Sequence, residues 1–331
     1  MQRCTRRVIG AIAALAAAGA LLAPAAGAST AEPTWVKLHP ALSPPPLYGA
    51  AMAYDPPSQL VVLYGGMGKN GLSSTTWAWD GSSWFQPQTS ASPPPLYGAT
   101  MFYDSTYGGI VLFGGIGKDG PLSGTWVWDY FSWEPLSSTV HPPASAFSAT
   151  IGGGLFGGVG ATGQPLSGTW GGPGLTTNNW WQGPSSPPSP RYGAAAAYDQ
   201  ATSQVIMFGG HSATSYLAGT WAWGSSGWAQ DSPTTSPPAS YGGSAGYYGG
   251  PGTDQLILFG GVSASGYLAG TWAWDGSNWS QLSPAEHPSA RYEAAMAYDS
   301  AADELVLFGG TGPNGPLNDT WAWKVPTWRP T

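Results

Sequence analysis

Two dipeptides recur six times along this chain. A glycine pair closes an apolar run at Gly65-Gly66, Gly114-Gly115, Gly157-Gly158, Gly209-Gly210, Gly260-Gly261 and Gly309-Gly310. Each is followed at a near-constant offset by Thr-Trp, at Thr76-Trp77, Thr125-Trp126, Thr169-Trp170, Thr220-Trp221, Thr271-Trp272 and Thr320-Trp321. A period close to fifty residues defines a repeat architecture, in which no unit buries its apolar face alone and neighbouring copies must share a core. Length by itself would suggest about two domains. The repeat overrides that expectation.

One unit reads as four antiparallel strands, a to d. In the last copy Glu293 to Asp299 is a short strand ending at a turn, Glu304 to Phe308 is an apolar strand closed by Gly309-Gly310, and Asp319 to Trp323 alternates small and large side chains. In the copy before it, Asp275-Gly276 joins Thr-Trp-Ala-Trp to Trp279-Ser-Gln-Leu282, a strong hairpin signal. Side-chain bulk rises from strand a, almost all Ala, Gly and Ser, through the aliphatic strand b to the tryptophans of strand c. That taper fits sheets arranged radially, with their first strands crowded around an axis.

These features resemble the kelch repeat, a four-stranded β-propeller blade, over roughly residues 34–331. The resemblance implies an all-β, six-bladed kelch-type propeller. The Trp84 to Tyr97 interval equals that from Trp35 to Tyr48, so residues 34–38 are expected to supply strand d of the last blade and close the ring. Trp328 stands at the strand-d offset from Trp321, as Trp84 does from Trp77, and is the rival. The third copy is shortened between Phe147 and Gly157, and Gly171-Gly-Pro-Gly replaces the usual Ala-Trp, so blade three should be the least regular.

Residues 1–28 read as a secretory signal: Arg3, Arg6 and Arg7, an Ala/Leu-rich run from Val8 to Leu22, then Ala26-Gly27-Ala28. The propeller is assigned to residues 29–331, and the protein is expected to be extracellular or periplasmic. Cleavage would remove Cys4, the single cysteine, and with it any disulfide or thiolate. Without Arg3, Arg6 and Arg7, seven basic residues face seventeen acidic ones. That balance argues against nucleic acid and anionic membranes as partners, and no later apolar stretch is long enough to span a bilayer.

Residues common to all copies answer demands common to all blades, so a ligand site is sought among those peculiar to one or two. The b–c and d–a connections are the longer and more varied, and they share one face. There Arg191 and Arg291 precede strand a in blades four and six, Lys69 and Lys118 lie in b–c loops of blades one and two, and His211, Tyr216 and Tyr267 in those of blades four and five. The resemblance to kelch adaptors, whose strand a commonly starts with arginine at the central mouth, implies that Arg191 and Arg291 hold a ligand carboxylate. Pairing of Arg291 with Glu293 and of Arg191 with a loop carbonyl is the competing reading. Tyr216 and Tyr267 suit stacking on sugar rings. His39, His141 and His287 occupy d–a loops without an accompanying carboxylate cluster, so no metal site and no cofactor is expected.

The expected function is a secreted, non-enzymatic module that binds a carbohydrate or an exposed peptide. The alternative is an extracellular carbohydrate-active enzyme. The propeller of galactose oxidase resembles this one, but its copper-radical centre requires a cysteine cross-linked to tyrosine. Glu293, beside Arg291, is the one carboxylate placed at the mouth by sequence, too few for a two-carboxylate hydrolase.

Overall fold

A computed structural model describes residues 32–129, 132–184, 188–250 and 253–325. The expected signal segment and Trp328 lie outside the described residues. Six four-stranded antiparallel sheets follow one another along the chain. Blade one is built from Ala51–Asp55, Leu60–Tyr64, Thr76–Trp79 and Trp84–Phe85, in the spatial order a-b-c-d. In blade four the same order runs through Ala195–Asp199, Gln204–Phe208, Thr220–Gly224 and Gly227–Asp231. Each strand a touches the strand a of both neighbouring blades, completing a circle of inner strands. Small side chains there allow the close approach that the taper anticipated.

Blade six takes its outer strand from the other end of the chain. Thr34–Leu38 runs antiparallel to Thr320–Lys324, with Trp35 opposite Trp323 and Lys37 opposite Trp321. Blade three is the irregular copy: its first two strands shrink to Ala149–Thr150 and Gly154–Phe156, and its outer strand to Trp181–Gln182.

Apolar burial is divided into six clusters, one at each joint between blades. Each joint carries the same polar contact, buried at five joints and partly buried between blades three and four. A tryptophan at or beside strand d donates its indole N–H to the Thr-Trp threonine of the preceding blade: Trp84 to Thr320, Trp133 to Thr76, Trp180 to Thr125, Trp228 to Thr169, Trp279 to Thr220 and Trp35 to Thr271, all at 2.9–3.1 Å. This explains why threonine recurs before tryptophan. The Thr-Trp tryptophans themselves pack at the same joints, but Trp126, Trp221 and Trp272 stay partly exposed, so the deeper wedge is the strand-d ring at every joint but that of Trp228, which is itself partly exposed.

The glycine pair serves the joint as well. Its second member donates its backbone N–H to the d–a loop of the next blade, as Gly66 does to Leu96 and Gly310 to Leu47. A Cβ on the first member would collide with that same carbonyl, and both residues have positive φ. Among the described residues no helix is long and apolar enough to cross a membrane.

Candidate functional site

The d–a loops converge on the axis, where one residue per blade turns the chain into strand a with left-handed backbone: Gly49, Gly98, Phe147, Gly193, Gly242 and Glu293, with φ between 53° and 69°. Their backbones form a closed circle of hydrogen bonds, each N–H donating to the carbonyl of the residue before it in the ring: Gly98 to Gly49, Phe147 to Gly98, Gly193 to Phe147, Gly242 to Gly193, Glu293 to Gly242 and Gly49 to Glu293, at 2.7–2.9 Å. Glycine suits this conformation, and Phe147 and Glu293 hold it at a cost of about 1–3 kcal/mol each.

Immediately before the ring residue, Tyr48, Tyr97, Tyr192, Tyr241 and Tyr292 each bridge through backbone to the b–c loop, at Met67, Ile116, His211, Val262 and Thr311. That anchoring stands the phenol rings around the axis. Tyr48 and Tyr97 meet edge to face at 5.9 Å, Tyr192 and Tyr241 at 5.7 Å, and Tyr241 and Tyr292 at 5.6 Å. Blade three has Ala146 at the tyrosine position, and Phe147, one residue on, fills the wall instead, 5.5 Å from Tyr97.

Glu293 is the charged group of this mouth. An axial cavity of about 140 Å³ is lined by the six ring residues and the small residues after them, and among these Glu293 alone carries a charge. Its Oε2 is buried without a hydrogen-bond partner among the described residues. Burial pushes the carboxyl up to about 8. Burial also raises all five tyrosines above the ordinary phenol range, with the Glu293 charge among the further causes. A carboxyl raised by folding keeps its proton in the folded chain after the unfolded chain has lost it. Stability should therefore fall as pH rises from the usual carboxylate range to about 8 and level off above it. Urea denaturation across that window should show the decline in the wild type and a flatter profile in Glu293→Gln.

Of the residues singled out from sequence, three join this mouth. His211 lies 5.5 Å from Tyr192 and 4.9 Å from Tyr216, Tyr216 stacks on Tyr241 at 6.0 Å, and Tyr267 meets Tyr292 at 5.6 Å while remaining 40 % exposed. Lys69 and Lys118 are exposed near the tips of short b–c hairpins, and Lys69 borders a separate cleft against Pro45, Pro46 and Leu47.

Arg191 and Arg291 do not face the mouth. They are 3 % and 1 % exposed, and every guanidinium nitrogen finds a partner within the blades. Arg191 donates to the Ser189 carbonyl, the Ser189 hydroxyl and the Gly209 carbonyl, and lies 5.7 Å from the Trp221 ring. Arg291 makes the equivalent bonds to Ser289 and Gly309 and adds a two-pronged pair with Asp319, at 2.6 and 2.9 Å. Burial opposes ionisation of Asp319, yet Arg291 and the Trp321 indole hold its carboxyl below the usual range. The expected carboxylate-binding role is therefore corrected: these side chains tie the d–a loop to the end of strand b. The partner of Arg291 is Asp319 and not Glu293.

The loop histidines have local partners, His141 and His287 through Nδ1 to the carbonyls of Pro142 and Pro288. Among the described residues no three His, Cys, Asp or Glu side chains gather as metal ligands.

A family model described as the KLHDC2/KLHL20/DRC7 Kelch-repeats domain matches residues 155–329. A solved structure titled "Structure of YjhT" superposes with a TM-score of 0.67 at 19 % identity, covering 85 % of this chain and 95 % of that one, a likeness of fold. No curated protein matches the chain. With glycine pairs that clear the way for the neighbouring blade and a family match over more than half its length, this chain belongs to the kelch-repeat family.

Proposed function

We propose that this kelch propeller is an exported, non-enzymatic binding module that engages its partner at the tyrosine-lined axial mouth. The observation that carries this reading is the gathering of His211 and Tyr216, on the b–c loop of blade four, and Tyr267, on that of blade five, against the tyrosines that surround the axis. Phenol rings offer large, rigid contact area with a polar edge, the chemistry favoured where one surface must hold another. Kelch propellers generally bind protein partners, which favours an exposed peptide as the ligand; a carbohydrate would use the same rings for stacking. The export reading rests on residues 1–28.

With the arginines buried, the mouth has no built receptor for an acidic ligand. A neutral or basic one fits it better. Hydrolysis by paired carboxylates needs a second acid within a few ångströms of the first, and the residues lining the cavity offer Glu293 alone.

Peptide and glycan arrays probed with the purified protein test this reading. Tyr216→Ala with Tyr267→Ala should weaken any hit by about 2 kcal/mol or more, as loss of aromatic anchors does. Ser82→Arg, on an exposed c–d turn of the opposite face, should leave it unchanged. Binding lost in Ser82→Arg but kept in the tyrosine variant would move the site to the other face.

A further inference from the structure

Every position of the axial ring is constrained toward glycine, and four of six are glycine. Phe147 has a packing reason to depart from it, since its ring completes the aromatic wall beside Tyr97. Glu293 has none. Its carboxyl sits on strained backbone, with one oxygen buried and unpartnered, at a position that four of the other five copies fill with glycine. Strain and a buried, unpartnered polar oxygen at the convergence of six loops are the marks of a position kept for a ligand.

We infer that the axial cup is a receptor for an organic ammonium group, with Glu293 as its counter-ion, Phe147 as the one ring in its lining and the phenol rings of the adjoining mouth beside it. This rests on the reading of the mouth as the binding site and names the chemistry it selects. A buried carboxylate is stabilised by an opposite charge that also donates hydrogen bonds, which an ammonium does with three N–H groups. Aromatic rings attract such a cation through their quadrupoles, more strongly where water is excluded, and Phe147 lines the cup itself. The cavity, about 140 Å³, is small beside the roughly 300–1,000 Å³ that holds a whole drug-sized ligand. It takes a head group and leaves the remainder to Tyr216 and Tyr267. A bare metal ion fits poorly, because the ring carbonyls are already committed to one another and Glu293 is a single ligand.

Protonation supports the assignment. The groups facing Glu293 are Tyr48, Tyr97, Tyr192, Tyr241 and Tyr292, with His211 one layer out against Tyr192 and Tyr241. Near neutral pH the carboxyl holds its proton, so an arriving ammonium must displace it and a proton leaves to buffer as the ion pair forms. For a lysine side chain, which stays cationic to about 10, affinity should then rise with pH until Glu293 is ionised in the free protein, at about 8.

Calorimetry on the purified protein tests this with Nα-acetyl-lysine methylamide, a glycine-rich peptide with a free N-terminus, and glucosamine as the ammonium-bearing probes. Nα,Nε-diacetyl-lysine methylamide and potassium chloride are the controls. At least one ammonium probe should bind with proton release, visible as heat that depends on the buffer, and comparison of the three identifies whether side-chain amine, N-terminus or amino sugar is preferred. The diacetyl control should bind roughly tenfold to a hundredfold more weakly. Glu293→Gln and Glu293→Gly should lose affinity to the same degree, and Glu293→Gly should melt no lower than the wild type because it restores the residue its ring favours. Equal binding of lysine and its acetylated form, retention of affinity in Glu293→Gln, or absence of binding by every ammonium probe at millimolar concentration would overturn the inference. Array hits that depend on Tyr216 and Tyr267 but not on Glu293 would overturn it while leaving the mouth as the binding site.

Discussion

Trp35→Ala should cost about 3–5 kcal/mol of stability, and deletion of residues 32–40 should leave a chain without a cooperative melting transition. Trp35 is 1 % exposed, meets Phe259 and Trp323 edge to face at 5.3 and 5.5 Å, and donates its indole N–H to Thr271 on blade five. Truncation opens a cavity at the joint between blades five and six and leaves a buried threonine oxygen without its donor. Deletion goes further, since it uncovers the whole ladder from Thr320 to Lys324. A domain is stable by only about 5–15 kcal/mol in total, so losing a complete joint is enough to undo it. Trp181→Ala is the matched control: that indole is 57 % exposed, and its removal should shift urea midpoints little. Equal midpoints for the two tryptophan variants would sink the closure argument.

Arg291→Met should be the most damaging change to a charged residue in the described chain, at about 3–5 kcal/mol. Methionine keeps much of the volume but strands the Asp319 carboxylate, which is partly buried, together with the Gly309 carbonyl. Arg291→Lys keeps the charge and loses the fork that spans both Asp319 oxygens, so it should fall between wild type and methionine. Arg191→Met should cost less, because no carboxylate pairs with Arg191 among its hydrogen bonds. Urea denaturation of the three variants checks the order. Ligand affinity, measured on variants that remain folded, should be unaffected by either arginine, whereas a specific loss of binding at full stability would return them to the site.

The six-fold repeat made the scaffold legible because each dipeptide answers a local geometric demand. Gly65-Gly66 and its equivalents lie where a neighbouring carbonyl excludes any side chain, and Thr76 and its equivalents accept the neighbour's indole. The orientation of the arginines was not legible in the same way. A Pro-Arg-Tyr segment looks alike whether its guanidinium turns to solvent or inward, and the answer for Arg291 depends on Asp319, on the far side of strand b and a loop. The mouth was half legible. Searching for residues peculiar to one or two blades found Tyr216, Tyr267, His211 and Glu293, but by its own rule passed over Tyr48, Tyr97, Tyr192, Tyr241 and Tyr292, which recur in five of the six copies. That rule weakens on the axis, where equivalent positions from all copies converge and a shared residue becomes the wall of a single site.

The Trp–Thr joint has a direction. Every blade holds out a donor to the blade before it and offers an acceptor to the blade after it. A copy lifted out of the circle would carry one half of each of two joints, and a copy duplicated in the gene would arrive with both halves already matched to its neighbours. Parts keyed in this way are interchangeable in order but not in orientation. A chain of this kind can therefore gain or lose whole units without reinventing any interface, and its blades are free to diverge in their loops while the joints stay the same.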